Sequence, residues 1–197
     1  MPDLTFMKAQ GQAIEAVRDQ LAALRMTVFR NFPYLYQGDI AYERAYLETY
    51  IRSERSLLFA VRDGDQLVGA TTALPLLDET AEVQAPFRRA GYDLSRIVYF
   101  GESILLPAYR GSGLGNRFFD EREAHARQFG TYTTACFCAV QRPADHPLRP
   151  KDYKPLDAFW IKRGYTCRPD LNTTFDWPDR GETESTPKAM TYWTRPL

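Results

Sequence analysis

Leu105-Leu106-Pro107-Ala108-Tyr109-Arg110-Gly111-Ser112-Gly113-Leu114-Gly115-Asn116 is the stretch that decides how this chain is read. An apolar, strand-like run from Arg96 to Leu106 leads into it, and a helical pattern follows to Phe129. Three glycines at alternate positions stand between them. A strand, a glycine loop and a helix start collect free backbone N–H groups at one point, where the helix dipole adds about half a positive charge. Such a place binds phosphate. Gly111, Gly113 and Gly115 lack Cβ, so their backbone is free to take φ > 0 and to approach a ligand closely. Arg110, at the mouth of the loop, adds a charge-assisted donor for a phosphate oxygen. The plainer reading is an ordinary strand-to-helix turn without ligand.

The helix after the loop has a clear inner side. At 100° per residue, Leu114, Gly115, Phe118, Phe119, His125, Ala126 and Phe129 share it, with Arg122 the one intruder. Arg117, Asp120, Glu121, Glu123 and Arg127 fall elsewhere. That side is expected to pack on a sheet, which makes His125 a packed core histidine rather than a ligand.

The loop lacks the Gly-Lys-Ser/Thr ending of a nucleoside triphosphatase loop. Its glycines are spaced G-x-G-x-G, and its strand lies mid-chain with no βαβ unit ahead, which disfavours a dinucleotide fold. The stretch does resemble motif A of the GNAT superfamily of acyl-coenzyme A-dependent N-acetyltransferases. The motif Arg/Gln-x-x-Gly-x-Gly/Ala matches Arg110, Gly113 and Gly115. The extension Pro-x-Tyr-Arg-Gly-x-Gly-x-Gly matches Pro107, Tyr109, Arg110, Gly111, Gly113 and Gly115.

Composition bounds the rest. A chain of 197 residues builds one domain with a sizeable core and is short for two. Lys plus Arg and Asp plus Glu are 25 each, so no global field favours nucleic acid or membrane. No apolar run approaches the roughly 20 residues that span a bilayer, and Met1 to Lys8 does not read as a signal peptide. Three cysteines (Cys136, Cys138 and Cys167) argue against a disulfide scaffold and for a reducing compartment, with cytoplasm the default; a metal site is not expected.

In chain order, Leu4 to Met7 reads as a short strand. Ile14, Val17, Leu21, Leu24 and Val28 mark an amphipathic helix from Gln12 to Phe29, ending before Asn31-Phe32-Pro33. An aromatic connector, Phe32 to Gly38, leads to a helix capped by Asp39, with Tyr42, Tyr46, Leu47, Tyr50 and Ile51 on one face. Leu57–Val61 and Gln66–Leu74 flank an Asp63-Gly64-Asp65 turn, a hairpin signal. Residues 78–95 read as a helical or irregular insertion before the Arg96–Leu106 strand. Tyr132 to Val140 is a strand, and Gln141 to Lys151, with three prolines, is a loop. Leu156 to Tyr165 is a short helix closed by Gly164, and two strands, about Thr173–Trp177 and Lys188–Thr194, finish the chain.

The resemblance covers nearly the whole chain, although the specific motifs sit in the central third. It implies a single domain over residues 1–197 of α/β (α+β) class. The sheet is mixed, mostly antiparallel and flanked by helices, with its fourth and fifth strands splayed apart. It implies acetyl transfer from acetyl-CoA to a primary amine of a small molecule or protein, by direct attack in a ternary complex and without metal. The alternative is a non-catalytic acyl-CoA-binding sensor or scaffold of the same fold. A monomer and a homodimer are both compatible.

By the same resemblance, backbone at Ile104, Leu105 and Leu106 is expected to hold the pantetheine arm and acetyl group. Gly111, Ser112, Gly113, Leu114, Gly115 and Asn116 are expected to hold the pyrophosphate. Glu102, in period-two register with Phe100, Ile104 and Leu106, is the candidate base; the alternative is a structural partner for an arginine such as Arg88 or Arg96. The tyrosine that many of these enzymes use as general acid is replaced by Trp160, which cannot supply a proton, leaving Tyr153, Tyr165 or water. Tyr34, Tyr36 and His146 are the candidate acceptor-site residues, with packing or surface exposure as the plain alternatives. Arg142, Arg149, Lys151 and Lys154 hint at an acidic acceptor.

Overall fold

The computed structural model describes residues 3–197. Met1 and Pro2, which head the segment read as carrying no signal peptide, lie outside the described residues. β1 (Leu4–Ala9) pairs antiparallel with β2 (Leu57–Asp63), and β2 with β3 (Gln66–Pro75), through the expected two-residue turn with Gly64 at φ 58°. Two helices connect β1 to β2. The first differs from the expected continuous helix. Gly11–Val17 is a 3-10 helix, and α1 proper runs Arg18–Phe29. Ile14 and Val17, both buried, are three residues apart, a spacing that suits three residues per turn. α2 (Ile40–Arg52) starts where expected, with the Asp39 carboxylate accepting from the Tyr42 N–H at 2.8 Å. Tyr46, Leu47, Tyr50 and Ile51 face the core as expected, and Tyr42 does not. Tyr42 is 57% exposed, and Glu43 beside it is fully buried.

The expected insertion at 78–95 contains α3 (Ala81–Arg89) between two 3-10 turns, with Phe87 buried against Tyr192 at 4.9 Å. The next segment departs most from its sequence reading. Arg96 to Leu106 is not one strand but two, β4 (Ile97–Tyr99) and β5 (Ser103–Leu105). Tyr99 sits opposite Leu74 and Ser103 opposite Thr71. Phe100, Gly101 and Glu102 therefore face only Thr72 and Ala73, a β-bulge with one extra residue. An extra residue reverses side-chain alternation. Phe100 points into the core against Phe119 and Tyr165, on the face opposite Ile104. The expected register of Phe100 with Glu102 and Ile104 is thus broken at the bulge.

β6 (Thr134–Val140) runs parallel to β4 through Ile97↔Thr134 and Tyr99↔Cys136, with a last contact from the Phe100 N–H to the Cys136 carbonyl at 2.8 Å. Beyond it the two part: β5 pairs only with β3, and β6 stays with the last strand. This is the expected splay. α4 (Leu114–Arg127) covers one face of the sheet, two residues shorter than its pattern suggested. α5 (Asp157–Lys162) closes at Gly164, φ 85°, where the Tyr165 N–H donates to the Trp160 carbonyl. β7 (Thr166–Trp177) and β8 (Thr186–Pro196) are longer than expected and complete an eight-stranded sheet in the order β1-β2-β3-β4-β6-β8-β7, with β5 on β3. α1, α2 and α3 pack on one face through Leu21, Leu47, Tyr50 and Phe87. α4 packs on the other through Phe118, Phe119 and Ala126.

On α4 the intruder Arg122 is 2% exposed, and Glu123, placed elsewhere by its angle, is buried as well. Glu123 Oε1 accepts from Tyr165 at 3.2 Å, Arg163 at 3.2 Å and Arg195 at 2.8 Å, an ion cluster assembled by α5 and β8. His125 is not a core residue. It is half-buried, with Nε2 on the Arg55 carbonyl at 3.0 Å, and burial lowers its pKa.

The bulge depends on a glycine. A Cβ at Gly101 would collide with the Tyr50 hydroxyl and lie 2.8 Å from Thr72 Oγ1, and Tyr50 is itself fully buried. Gly101→Ala is expected to cost about 1–3 kcal/mol, read as a lower urea midpoint with an unchanged m-value.

Candidate active site

The first half of the site is backbone. After β5, Pro107–Tyr109 makes one 3-10 turn, held to the β2–β3 hairpin by the Tyr109 hydroxyl on Asp63 at 2.8 Å. Gly111 (φ 79°) and Gly113 (φ 87°) then turn the chain into α4, with Gly113 at the N-cap. Gly115 is different: it is helical without positive φ, and a Cβ there would meet only Phe159, at 3.7 Å. Two of the three glycines are therefore required by conformation, and the third leaves open surface. The Asn116 and Arg117 N–H groups both close on the Gly113 carbonyl, at 3.0 and 3.2 Å. The N–H groups of Gly111, Ser112, Gly113, Leu114 and Gly115 have no acceptor among the described residues. Five consecutive free donors at a helix N-terminus form an anion site. Arg110 turns back, its Nε donating to the Leu105 carbonyl at 3.1 Å, and Ser112 Oγ donates to the Tyr109 carbonyl at 2.7 Å.

Upstream, β5 offers one free edge. The Leu106 N–H donates to Val68 and the Thr72 N–H to the Glu102 carbonyl, so the even-numbered residues bond to β3. Ser103 and Leu105 therefore turn their backbone groups toward the gap left by β6, and Ile104 and Leu106 do not. Of the three residues expected to hold a pantetheine arm, Leu105 presents its backbone there. Ser103, outside the expected set, faces the same gap because of the bulge.

The second half is made of side chains on the α1/α2 face. Glu102, 5% exposed, forms an ion pair with Arg25 of α1, not with Arg88 or Arg96. Arg25 also pairs with the fully buried Glu43 of α2, and its guanidinium lies 4.0 Å from the Tyr46 ring centroid. Burial opposes the charge on Arg25, but Tyr46 and Glu43 outweigh it and its pKa rises. Tyr46 and Tyr50 share a 3.0 Å hydrogen bond, and Tyr50 donates to Glu79 at 3.2 Å. At the fork between the strands, the Tyr99 hydroxyl lies 3.1 Å from Cys138 Sγ. Burial pushes Tyr46 and Cys138 up to about 12 and raises Tyr34, Tyr50 and Tyr99 as well. Every one of these hydroxyls and the thiol stays protonated at neutral pH. The sequence carried a faint signal for the ion pair: Arg25 and Glu43 each stand four residues before or after an inward leucine, Leu21 and Leu47.

Three loops close this side. Arg142 makes a bidentate pair with Asp179 at 2.7 and 2.8 Å and donates to the Pro33 and Tyr34 carbonyls, each at 2.8 Å. Trp177 Nε1 also donates to the Tyr34 carbonyl, at 3.1 Å. Arg142 is thereby consumed by the fold and drops out of the set that hinted at an acidic acceptor. Tyr34 stacks on Trp177 at 6.0 Å, Phe32 meets Tyr153 at 4.7 Å and His146 at 5.7 Å, and Arg149 lies over Tyr153 at 5.0 Å. These are two aromatic groups, Tyr34 with Phe29 and Trp177 and Phe32 with Tyr153 and His146, and joined through the connector they make up the aromatic wall. Tyr36 sits apart, buried beside Glu43 and bridged to Asp179. Trp160 packs on Phe137 and Trp193, each at 5.1 Å, and Tyr165 is engaged by Glu123 on the opposite face. Tyr153 alone of the expected acid candidates borders the aromatic wall.

Solved structures share the fold that carries this arrangement. The chain is similar in fold to the yncA protein of Salmonella typhimurium, solved with its cofactor acetyl-CoA (TM-score 0.57, 12% identity, 98% of this chain and 94% of that one). It is similar to a ribosomal-protein-alanine N-acetyltransferase from Brucella melitensis (TM-score 0.59, 14% identity, 98% and 99%). It is likewise similar to Arabidopsis thaliana NAA60 in complex with a bisubstrate analogue (TM-score 0.61, 10% identity, 98% and 99%). No curated protein matches the sequence. The model of the acetyltransferase (GNAT) family matches residues 21–149, well over half of the chain, and the protein belongs to that family.

Proposed function

We propose that this protein transfers an acetyl group from acetyl-CoA to a primary amine, carried by a small molecule or a protein, by direct attack with both substrates bound. The observation that supports this most is the run of five free N–H groups from Gly111 to Gly115, lying where β5 has an unpaired edge. Acetyl-CoA supplies an activated thioester; the chain supplies placement and proton management. Gly111 to Gly115 would hold the diphosphate by backbone donors, the Asn116 N–H being taken by Gly113, and Arg110, on rotating off Leu105, would add a cation. Ser103 and Leu105 would pair with the amide-bearing arm as a strand does. Their N–H groups can also take up negative charge that develops on the acyl oxygen, donors fixed before reaction and so without reorganisation cost.

The acceptor would enter between the aromatic wall and the fork. An ammonium has no lone pair for attack, so its proton must leave. Glu102 is the carboxylate on the correct face, and the Arg25 pair fixes its orientation. Tyr99 or Tyr153 would donate a hydrogen bond to the departing sulfur, since Trp160 and Tyr165 are committed to packing and to Glu123. The aromatic wall of Tyr34, Phe32 and Tyr153 favours a cationic or ring-bearing amine.

Titration calorimetry with acetyl-CoA is expected to give one site. Gly113→Val, at φ 87° and in the middle of the free N–H groups, should weaken acetyl-CoA at least tenfold, whereas Gly115→Ala, which the motif itself allows, should leave affinity within threefold and raise stability by about 0.5–1 kcal/mol. Unchanged affinity in a folded Gly113→Val protein, or no heat with the wild type, would remove the diphosphate assignment. Glu102→Gln is expected to lower kcat by about 10²–10⁴-fold and to abolish the acid limb of the pH–rate profile. A profile identical to the wild type would remove Glu102 from proton transfer.

A further inference from the structure

Arg122 is the one buried cation of α4, and the reaction as described does not use it. Its guanidinium lies between two rings, 4.3 Å from the Phe100 centroid and 4.5 Å from that of Phe119. Nε donates to the Phe118 carbonyl at 3.2 Å and Nη1 to the Glu102 carbonyl at 3.3 Å, while Nη2 has no partner among the described residues. Burial depresses its pKa to about 10, so it remains a cation at neutral pH. By stability alone this is a poor choice. A buried cation carries a desolvation cost, and an apolar side chain of the same reach often replaces such a group with no loss or with a gain. Methionine would fill this slot and favours contact with aromatic rings.

The gain lies in what Arg122 holds. The Glu102 carbonyl is the peptide of the bulge, and it takes three donors: Thr71 Oγ1 at 2.6 Å, the Thr72 N–H at 3.2 Å and Arg122. The first two come from β3 inside the sheet. Arg122 alone comes from α4, the helix whose N-terminus carries the anion site. It therefore ties the helix that would take the diphosphate to the peptide that carries Glu102 and opens the edge at Ser103.

Building on the acetyl-transfer reading, we infer that Arg122 is a positioning residue: it fixes the Glu102–Ser103 peptide relative to α4, at a cost to stability that an apolar residue would not carry. The test compares Arg122→Met and Arg122→Lys with the wild type in four measurements: melting temperature, acetyl-CoA affinity, steady-state kinetics on an amine panel, and hydrogen exchange at the Thr72 and Gly101 amides, which bond across the bulge. Arg122→Met is expected to melt within about 2 °C of the wild type or above it, to bind acetyl-CoA within threefold, and to lose at least thirtyfold in kcat with little change in KM. Exchange at Thr72 should quicken at least tenfold, and Arg122→Lys, keeping the charge and one donor, should lie between. An Arg122→Met protein that fails to fold, or melts far lower with its specific activity retained, would make Arg122 a purely structural residue and overturn the inference. Unchanged exchange at Thr72 in both variants would overturn it as well. Absence of turnover in the wild type would count against acetyl transfer, while melting and exchange would still decide whether Arg122 positions the bulge.

Discussion

One peptide group carries the architecture of this protein: the Glu102 carbonyl, with hydrogen bonds from Thr71, Thr72 and Arg122. It fixes an extra residue in the strand, and three features follow from that residue. The side chains change faces, so that Phe100 enters the α4 core and Glu102 meets Arg25 beneath α1 and α2. The ladder to β6 ends at the Phe100 N–H, so β5 continues with β3 as its sole neighbour. The backbone of Ser103 and Leu105 is left facing a gap. A regular strand from Arg96 to Leu106 would have paired with β6 throughout and offered no edge.

The charges of the site are arranged around that bulge at some expense. Arg25 is shared by Glu43 and Glu102, one cation against two carboxylates, with Glu79 and the hydroxyls of Tyr46 and Tyr50 beside them. Buried ionic groups of this kind roughly break even against apolar residues of equal volume, while deleting one partner costs about 3–5 kcal/mol. Such a cluster specifies geometry more than it adds stability. The excess of formal negative charge on the α1/α2 face would suit the amine of the proposed reaction, which is cationic until its proton leaves. On the other face, Glu123 gathers Arg163, Arg195 and Tyr165, so each side of the sheet carries its own buried carboxylate cluster.

Reading the sequence went well where the signal was local and failed where partners were remote. The loop from Arg110 to Asn116, the Asp39 cap, the Gly64 turn and the Gly164 helix stop were all legible, since each needs only a few neighbouring residues. The continuous helix from Gln12 and the continuous strand to Leu106 were not, because an apolar repeat does not register a 3-10 turn or an added residue. Arg142 read as a free cation near the pocket, and only the loop packing showed it spent on Asp179 and two carbonyls. Gly115 looked like a third hinge, and only its backbone angles showed it to be an open helical position.

The sequence by itself determined most of the element order, the glycine loop that starts α4 and, through Arg110, Gly113 and Gly115, the family. These rest on periodicity and on φ preferences, properties that each residue carries with it. The tertiary structure decided which face Glu102 occupies, which arginine meets it and which peptide edge is left unpaired. Those outcomes depend on one extra residue in a strand and on side chains from α1, α2, β3 and α4 converging on it. No local pattern encodes such a meeting, because its stabilising contacts exist only once the sheet and both helical layers are in place.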